Sequence, residues 1–260
     1  MSAEPIFARR DGDFVPTGHA RGPWDPDALH GGAPAALVAE AVQAEGFSVV
    51  RLTFEFLAPV PLAPLTVVTE LARGGRRLQL VEAEMAAAGR PVLRCRAVRV
   101  RRAEVALPAQ ARPAADAPAG PEHAREQRFP APAGAPVEGF HLTGMEIRFA
   151  GATGFGPGPA RVWFRLARPL VDDAAPSPLA RVAAAADFGN GVSAVLDWSR
   201  WIFVNTDLTV QLHREPIGEW VRLDARTVLE PTGIGLASSA LHDEIGPLGL
   251  SAQSLYVAER

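Results

Sequence analysis

Two polar residues of this sequence stand inside apolar segments, where a side chain can hold and activate a water molecule. Asp187 ends the Ala-rich run AAAAD, and Gln253 lies in the mostly apolar terminal run GLSAQSLYV. Attack of water on a carbonyl carbon needs a group that takes the proton of the water and donors for the developing oxyanion. A carboxylate suits the first task, and a neutral amide can both donate to and accept from a bound water. A helix-end cap at Asp187 and an ordinary strand position at Gln253 explain the same residues, so both interpretations stay open.

A second group of candidates precedes the first helix pattern. Gly31 and Gly32 follow His30 and open the run GGAPAALVAEAV. Glycines at a helix start let a carbonyl or phosphate approach exposed N–H groups and the positive end of the helix dipole. A tight turn from strand to helix requires the same residues. Farther along, Trp198 is a candidate wall for an apolar substrate chain, although core packing explains it equally.

The composition excludes several kinds of chemistry. All 26 basic residues are Arg, so a lysine Schiff base and a P-loop lysine are excluded. The single Cys95 leaves no disulfide within the chain and no cysteine cluster for zinc or iron–sulfur, and we expect neither a metal nor a cofactor. The nearest approaches to a serine-hydrolase elbow, GVSAV and GLSAQ, lack the closing Gly.

Charge and hydropathy limit the partners and the location. A net charge of −3 offers no overall field for nucleic acid. The start of the chain lacks the apolar core of a signal peptide, and no run approaches the roughly 20 apolar residues that cross a bilayer. The sequence therefore predicts a cytoplasmic protein without a nucleic-acid or membrane partner.

Each half of the chain shows an Ala-rich helix pattern followed by four strand-like runs. The second helix begins at Ser177, a good N-cap, with Pro178 behind it. The run RLTFEFLAPVP aligns with DLTVQLHREP, so that Thr53 falls on Thr209, and we interpret this as an internal duplication. Helices that are apolar nearly all round belong inside a wrapping sheet. The pattern predicts an α+β protein with a tandem, or double, hot-dog fold, in which an antiparallel sheet wraps two central helices.

A change in composition separates the halves. Residues 104–140 contain seven Pro among many Ala and few large apolar residues. Such a stretch favours an extended connector. We therefore predict an N-terminal hot-dog domain over residues 1–103, a Pro/Ala-rich connector over 104–140 and a C-terminal hot-dog domain over 141–260.

The chain resembles the double hot-dog proteins of the acyl-CoA thioesterase II family. Five segments carry the resemblance in the expected order: HGGAPAALVAEA, RLTFEFLAPVPLAPLTV, AAAADFGNG, NTDLTVQLHREPIGEW and GLSAQSLYV. The resemblance implies a hydrolase of fatty acid metabolism that cleaves acyl-CoA to free fatty acid and coenzyme A. It implies no metal or redox cofactor.

The resemblance also implies roles for individual residues. In that family an Asp, a Thr or Ser, and a Gln assist the attack of water. By position the Asp is Asp187 and the Gln is Gln253, whereas the hydroxyl position falls on Asn205, a departure from the pattern. Thr206 takes that role if the register differs by one. The candidate substrate-binding residues are His30, Gly31, Gly32 and Trp198.

Two other functions stay open at this point. Because Asn205 replaces the family hydroxyl, a double hot-dog protein that binds acyl thioesters without turnover remains an alternative. Asp25 and His30 have the spacing of the Asp-His pair in hot-dog enoyl-thioester hydratases, but the Asn-Pro between them is missing. Free sheet edges make a homo-oligomer possible. The sequence does not predict the length of the acyl chain.

Overall fold

The computed structural model describes residues 3–111, 117–130, 136–172 and 174–260. The first half contains β1 (Phe7–Arg10), β2 (Asp13–Pro16), α1 (Gly32–Ala41), β3 (Phe47–Phe56), β4 (Leu65–Arg73), β5 (Leu78–Ala87) and β6 (Arg90–Arg101). The second half contains β7 (Arg125–Glu126), β8 (Met145–Phe149), β9 (Ala160–Leu166), α2 (Pro178–Ala186), α3 (Gly189–Val192), β10 (Trp201–Asn205), β11 (Asp207–Leu212), β12 (Val221–Glu230), β13 (Ile234–Asp243) and β14 (Gly246–Glu259). Short 3₁₀ turns lie at Gly18–Ala20, Ala109–Ala111 and Pro121–His123, and a π-helical turn spans Phe140–Gly144.

The strands form one antiparallel sheet to which both halves contribute. Its order is β1-β2-β4-β5-β6-β3-β11-β14-β13-β12-β9-β8-β7, and β10 pairs with β14 beside this path. The eight strand-like runs that follow the two helix patterns in the sequence are β3 to β6 and β11 to β14. They make up the continuous centre of the sheet.

The internal duplication meets at the middle of the sheet. Strands β3 and β11 pair there, and Thr53 lies directly opposite Thr209. These are the residues that the sequence alignment of the two halves superimposes. An antiparallel pair in which equivalent residues face each other is related by a local twofold axis, so the two halves join about the Thr53–Thr209 pair.

The two Ala-rich helices lie in the interior and pack against each other. Every residue of α1 from Gly32 to Ala39 is buried. Gly32 permits this contact, because a Cβ at that position would lie 2.5 Å from the carbonyl oxygen of Ala184 in α2. Helix α2 begins at Ser177, whose hydroxyl accepts a hydrogen bond from the Ala180 amide (3.1 Å). The double hot-dog fold predicted from the sequence is confirmed.

Six strands precede the predicted runs or lie beside them. Strands β1 and β2 extend the edge of the first half, and β7, β8 and β9 extend the edge of the second. Strand β10 ends just before Thr206 and β11 begins just after it, and both pair with β14. Strand β8 alternates buried and half-buried residues, as the edge of a wrapped sheet requires. Their shortness hides them in the sequence.

Parts of the stretch 104–140 are attached to the second half. The carbonyl of Ala119 accepts a hydrogen bond from the indole of buried Trp163 (3.2 Å), and that of Pro121 accepts one from Arg148 (3.2 Å). Phe140, at its end, is fully buried. Among the described residues, no helix is both long enough and apolar enough to cross a membrane.

Candidate active site

Asp187 lies where helix α2 ends inside the protein. Asp187 is only 7% exposed and follows four buried Ala residues of α2. The chain turns at Asp187 and Phe188 into the short helix α3, and the carboxylate reaches His30, just before the start of α1. A buried carboxylate needs hydrogen-bond partners. Its partners come from three other segments.

Two amide side chains donate to the same carboxylate oxygen. The Oδ1 of Asp187 accepts hydrogen bonds from the Nδ2 of Asn205 (2.9 Å) and the Nε2 of Gln253 (3.3 Å). Gln253 is 2% exposed, and its Nε2 also donates to the backbone carbonyl of Asp187 (3.2 Å). The structure thus brings together the three residues that the sequence assigns to the polar network.

Backbone groups fix the orientation of both amides. The Oε1 of Gln253 accepts a hydrogen bond from the Asn190 amide (3.0 Å), and a backbone N–H can only donate. The Nδ2 of Asn205 also donates to the carbonyl of Asp207 (3.3 Å), which can only accept. Each amide therefore turns its N–H group, not its oxygen, toward Asp187. Asn190 is a positioning residue that the sequence analysis did not identify, because its contribution comes from the backbone.

The second carboxylate oxygen of Asp187 faces a residue of the first half. Its Oδ2 lies 2.9 Å from the Nδ1 of His30, whose ring stacks on Phe188 at 4.2 Å between centroids. The same Nδ1 lies 3.1 Å from the Gly32 amide. One ring nitrogen cannot donate to the carboxylate and accept from the amide at the same time. When His30 donates to Asp187, the Gly32 N–H is released for another acceptor.

Gly31 brings the backbone of the first half against this carboxylate. A Cβ on Gly31 would lie 2.9 Å from the Oδ2 of Asp187 and 2.9 Å from the ring of Phe56. Real side chains do not make such contacts without displacing their neighbours. The absence of a side chain at position 31 thus leaves open the space between the start of α1 and Asp187.

Two other predicted residues lie outside this network. Thr206 is exposed, and its hydroxyl donates to the carbonyl of Ser254 (3.4 Å) rather than to Asp187. Trp198 is half-buried in an aromatic cluster, stacked on Trp24 at 4.4 Å and edge-on to Phe203 at 4.6 Å. The indole nitrogen of Trp198 makes none of the bonds described around Asp187.

The Asp25–His30 spacing does not produce a pair. Asp25 is exposed, and its Oδ1 accepts a hydrogen bond from the amide of Asp27 (2.9 Å). His30 instead contacts Asp187, which lies in the other half of the chain. The arrangement that a hydratase of the Asp-His kind would use is therefore not formed by these two residues.

His141 is a titratable residue near the site that the sequence analysis did not single out. Its ring lies 6.4 Å from that of His30 and contacts Phe129 edge-on at 4.8 Å. Burial lowers the pKa of His141 to about 3, and the nearby His30 adds to this, while the Arg21 carbonyl acts in the opposite direction. His141 is therefore a neutral ring and places no positive charge beside His30.

Three arginines of the sheet, Arg94 and Arg96 in β6 and Arg214 after β11, make structural contacts. Arg94 pairs across strands with Glu84 (3.1 Å), and Arg96 pairs with Glu82. Arg214 forms a two-pronged ion pair with fully buried Asp243 (2.6 Å for each contact). These guanidinium groups are thus bound within the chain.

Comparison with known proteins covers both halves. A family model described as the acyl-CoA thioesterase N-terminal domain matches residues 20–100, and one described as the acyl-CoA thioesterase C-terminal domain matches residues 108–257. Among curated proteins, none matches this sequence. The residues around Asp187 fall within the two matched ranges, His30 in the first and Asn205 and Gln253 in the second.

Solved structures with the same fold span nearly the whole chain. A putative thioesterase II from Thermobifida fusca YX is 19% identical, with a TM-score of 0.72, over 97% of this chain and 95% of that one. A putative thioesterase from Novosphingobium aromaticivorans is 24% identical, with a TM-score of 0.67, over 98% and 99% of the two chains. A conserved protein with a hot dog fold from Alicyclobacillus acidocaldarius is 20% identical, with a TM-score of 0.68, over 97% of this chain and 95% of that one.

At these identities the likeness to solved structures shows the fold. The two family models, which match both halves of the sequence, show more: the chain belongs to the acyl-CoA thioesterase family and is a thioester hydrolase.

Proposed function

We propose that this protein hydrolyses fatty acyl-CoA to free acid and coenzyme A by attack of a water molecule that Asp187 orients and deprotonates. One observation carries the proposal. The Asp187 carboxylate is buried, accepts two amide N–H groups on one oxygen and faces His30 with the other, at the start of an interior helix.

The amides of Asn205 and Gln253 hold the carboxylate in a fixed orientation. Since both donate to Oδ1, the Oδ2 side of Asp187, which faces Gly31, is the side that a water can use. General-base assistance of this kind contributes about 10²–10⁴ to the rate. Asn205 supplies a donor where the family has a hydroxyl, which supports turnover rather than binding alone.

The start of helix α1 supplies the group for the oxyanion. With His30 donating to Asp187, the Gly32 N–H is free to donate to the thioester carbonyl oxygen, aided by the positive end of the helix dipole. The missing side chain of Gly31 admits the carbonyl to this position. His30, Gly31 and Gly32 then act on the substrate, as the sequence analysis predicts.

The reaction follows in two steps. The water oxygen bonds to the carbonyl carbon while its proton passes to Asp187, and the carbonyl electrons move to the oxygen. The tetrahedral intermediate then collapses, the carbon–sulfur bond breaks, and the thiolate of coenzyme A leaves and takes the proton. The products are the carboxylic acid and the free thiol, and no other reactant is consumed.

The aromatic cluster suits the apolar part of the substrate. Trp198 lies against Trp24 and Phe203. The backbone carbonyl of Phe203 accepts a hydrogen bond from the Nδ2 of Asn190 (2.7 Å). The cluster is thereby connected to the residue that orients Gln253. We propose that Trp198 contacts the acyl chain.

A substrate panel tests this function. Purified protein is incubated with acyl-CoA esters from acetyl-CoA to stearoyl-CoA and with an enoyl-CoA, and thiol release and products are measured together. Release of thiol and acid in equal amounts is the expected result. Saturable binding without thiol release would contradict the proposal in favour of a binding protein, and conversion of the enoyl-CoA to a hydroxyacyl-CoA would contradict it in favour of a hydratase.

A further inference from the structure

A second group of polar side chains lies away from Asp187, where three distant segments meet. It consists of Glu4 near the start of the chain, His19 in the first 3₁₀ turn and Glu138 at the end of the connector. One nitrogen or oxygen atom from each side chain lies within 4.8 Å of the other two. We call these three residues the His19 cluster.

A hydrogen bond to Thr143 determines how the His19 ring presents its nitrogens. The Thr143 hydroxyl donates to the carbonyl of Gly139 (3.1 Å), which can only accept, so its oxygen accepts from the Nδ1 of His19 (2.8 Å). In a neutral ring with its proton on Nδ1, the Nε2 carries a lone pair. That Nε2 lies 3.3 Å from the Oε2 of Glu4.

The Nε2 lone pair and the carboxylate oxygens repel one another, and a cation between them removes this repulsion. The ring of His19 is 3% exposed, so little water reaches it. A histidine whose other nitrogen is hydrogen-bonded by a fixed neighbour is the usual form of a metal-ligating histidine. Ligand atoms at the zinc bond length of about 2.0–2.1 Å lie roughly 3.3 Å apart in a tetrahedron, which is the Nε2–Oε2 distance observed here.

The third side chain has room because residue 18 is a glycine. A Cβ on Gly18 would overlap the Oε2 of Glu138, so a side chain at position 18 would have to displace the end of this carboxylate side chain. One neutral imidazole and two carboxylates balance the charge of a divalent cation. Imidazole and carboxylate together suit zinc and similar transition metals better than magnesium or calcium, which prefer oxygen ligands alone.

We infer that the His19 cluster binds a divalent transition-metal ion of the zinc class, with water in the remaining position. The sequence gives no sign of this site, because its ligands are 15 and 119 residues apart along the chain. The ion ties the first residues and the end of the connector to the turn Phe140–Gly144, which carries Thr143. That turn also carries His141, beside His30. The ion therefore stabilises the fold next to the active site and takes no part in the reaction.

Zinc binding by the full chain tests the inference. The protein is stripped with a chelator and titrated with zinc chloride by calorimetry, and its melting temperature is measured with and without the ion. The variants Glu4→Gln and Glu138→Gln each remove one ligand while keeping the size of the side chain. Glu4 is exposed and Glu138 is only half-buried, so folding is expected to be retained. Glu122→Gln is the matched control, because Glu122 lies 3.3 Å from His123, the same distance as in the cluster, but no third ligand joins them in the described residues.

The expected result is saturable binding of one zinc ion that raises the melting temperature. Glu4→Gln and Glu138→Gln should each weaken binding about tenfold or more, and Thr143→Val, which removes the partner of Nδ1, should weaken it by about 10–100-fold. Glu122→Gln should bind as the unsubstituted chain does. Zinc affinity that is unchanged in both ligand variants would overturn the inference. So would a complete lack of zinc binding, since His19 and Glu4 would then only contact each other.

Discussion

The Nδ1 of His30 lies 2.9 Å from the Oδ2 of Asp187 and joins the start of the first central helix to the end of the second. The contact makes the candidate site a shared product of the two halves of the chain. The duplication is not symmetric in this respect. Gln253 is buried at the site, whereas Ala97, its counterpart when Thr53 is superimposed on Thr209, is a buried residue with no polar group in its side chain. Each half therefore contributes different groups to one active site.

Replacing Gly31 by Ala tests whether the substrate needs the space beside Asp187. Gly31 has an ordinary helical φ of −57°, so alanine adopts its backbone conformation without strain. The added Cβ would lie 2.9 Å from the carboxylate, and we expect kcat/KM to fall at least tenfold, a loss of about 1.4 kcal/mol of transition-state stabilisation. Steady-state kinetics on the best acyl-CoA substrate measures the change. Gly156→Ala, where a Cβ meets nothing within 4 Å, is the control, and equal activity of the two variants would contradict the assignment.

Replacing Gln253 by Glu tests the donor function of its amide. The new side chain has the same shape and still accepts from the Asn190 amide, but it loses the N–H group that donates to Asp187 and places a second carboxylate beside the first. We expect kcat to fall by about 10² or more. Exposed Ser254, the next residue, provides the control Ser254→Ala. A Gln253→Glu variant with the kcat of the unsubstituted enzyme would show that the amide is only a strand residue.

Asn205 can be tested by two substitutions that differ in hydrogen bonding. Asn205→Asp keeps the shape and removes the N–H group that donates to Asp187 at 2.9 Å, so we expect a loss of activity of about 10². Asn205→Thr restores the hydroxyl of the family and keeps a donor, and we expect activity within about tenfold of the unsubstituted enzyme. Comparing kcat for the two variants distinguishes donation from mere polarity. Full activity of Asn205→Asp would refute the proposed network.

The elements of the fold that depend on local sequence patterns could be predicted from the sequence. Those that depend on contacts between distant residues could not. Strands β3 to β6 and β11 to β14 are predictable because each shows an alternating pattern after a recognisable helix. Strands β1, β2 and β8 have four or five residues, too few for a pattern to stand out. Their pairing along the sheet edges depends on the rest of the fold.

Some residues of the candidate site could likewise be predicted from the sequence, and others could not. Asp187, Asn205 and Gln253 are identifiable because the family resemblance marks their positions. The His30–Asp187 contact links residues 157 positions apart, and neither residue indicates the other in the sequence. The role of Asn190 is carried by a backbone amide, which every non-proline residue has, so no residue type signals it.

His141 predicts a change in the pH dependence of stability. Its pKa is lowered from 6.5 to about 3 in the folded protein, so between these values the unfolded state binds more protons than the folded state. Its effect on stability is absent above about pH 6.5 and becomes a growing loss as the pH falls toward 3, with a slope of up to about 1.4 kcal/mol per pH unit. His141→Leu lacks this proton uptake, so its unfolding free energy should fall less steeply than that of the unsubstituted protein. Urea denaturation at pH 7, 5.5 and 4 measures the difference, and identical slopes would contradict the burial of a neutral His141.

The most direct test of the proposed role of Asp187 is the rate of free thiol release from acyl-CoA by the unsubstituted enzyme and by Asp187→Asn. The protein contributes no background to a thiol-reactive reagent, because Cys95 is buried and its pKa is raised to about 12 by that burial. Asn keeps the size of the side chain and removes the proton acceptor, so we expect an intact fold by circular dichroism and a kcat lower by about 10²–10⁴. An Asp187→Asn variant that is folded and releases thiol at the rate of the unsubstituted enzyme would contradict it.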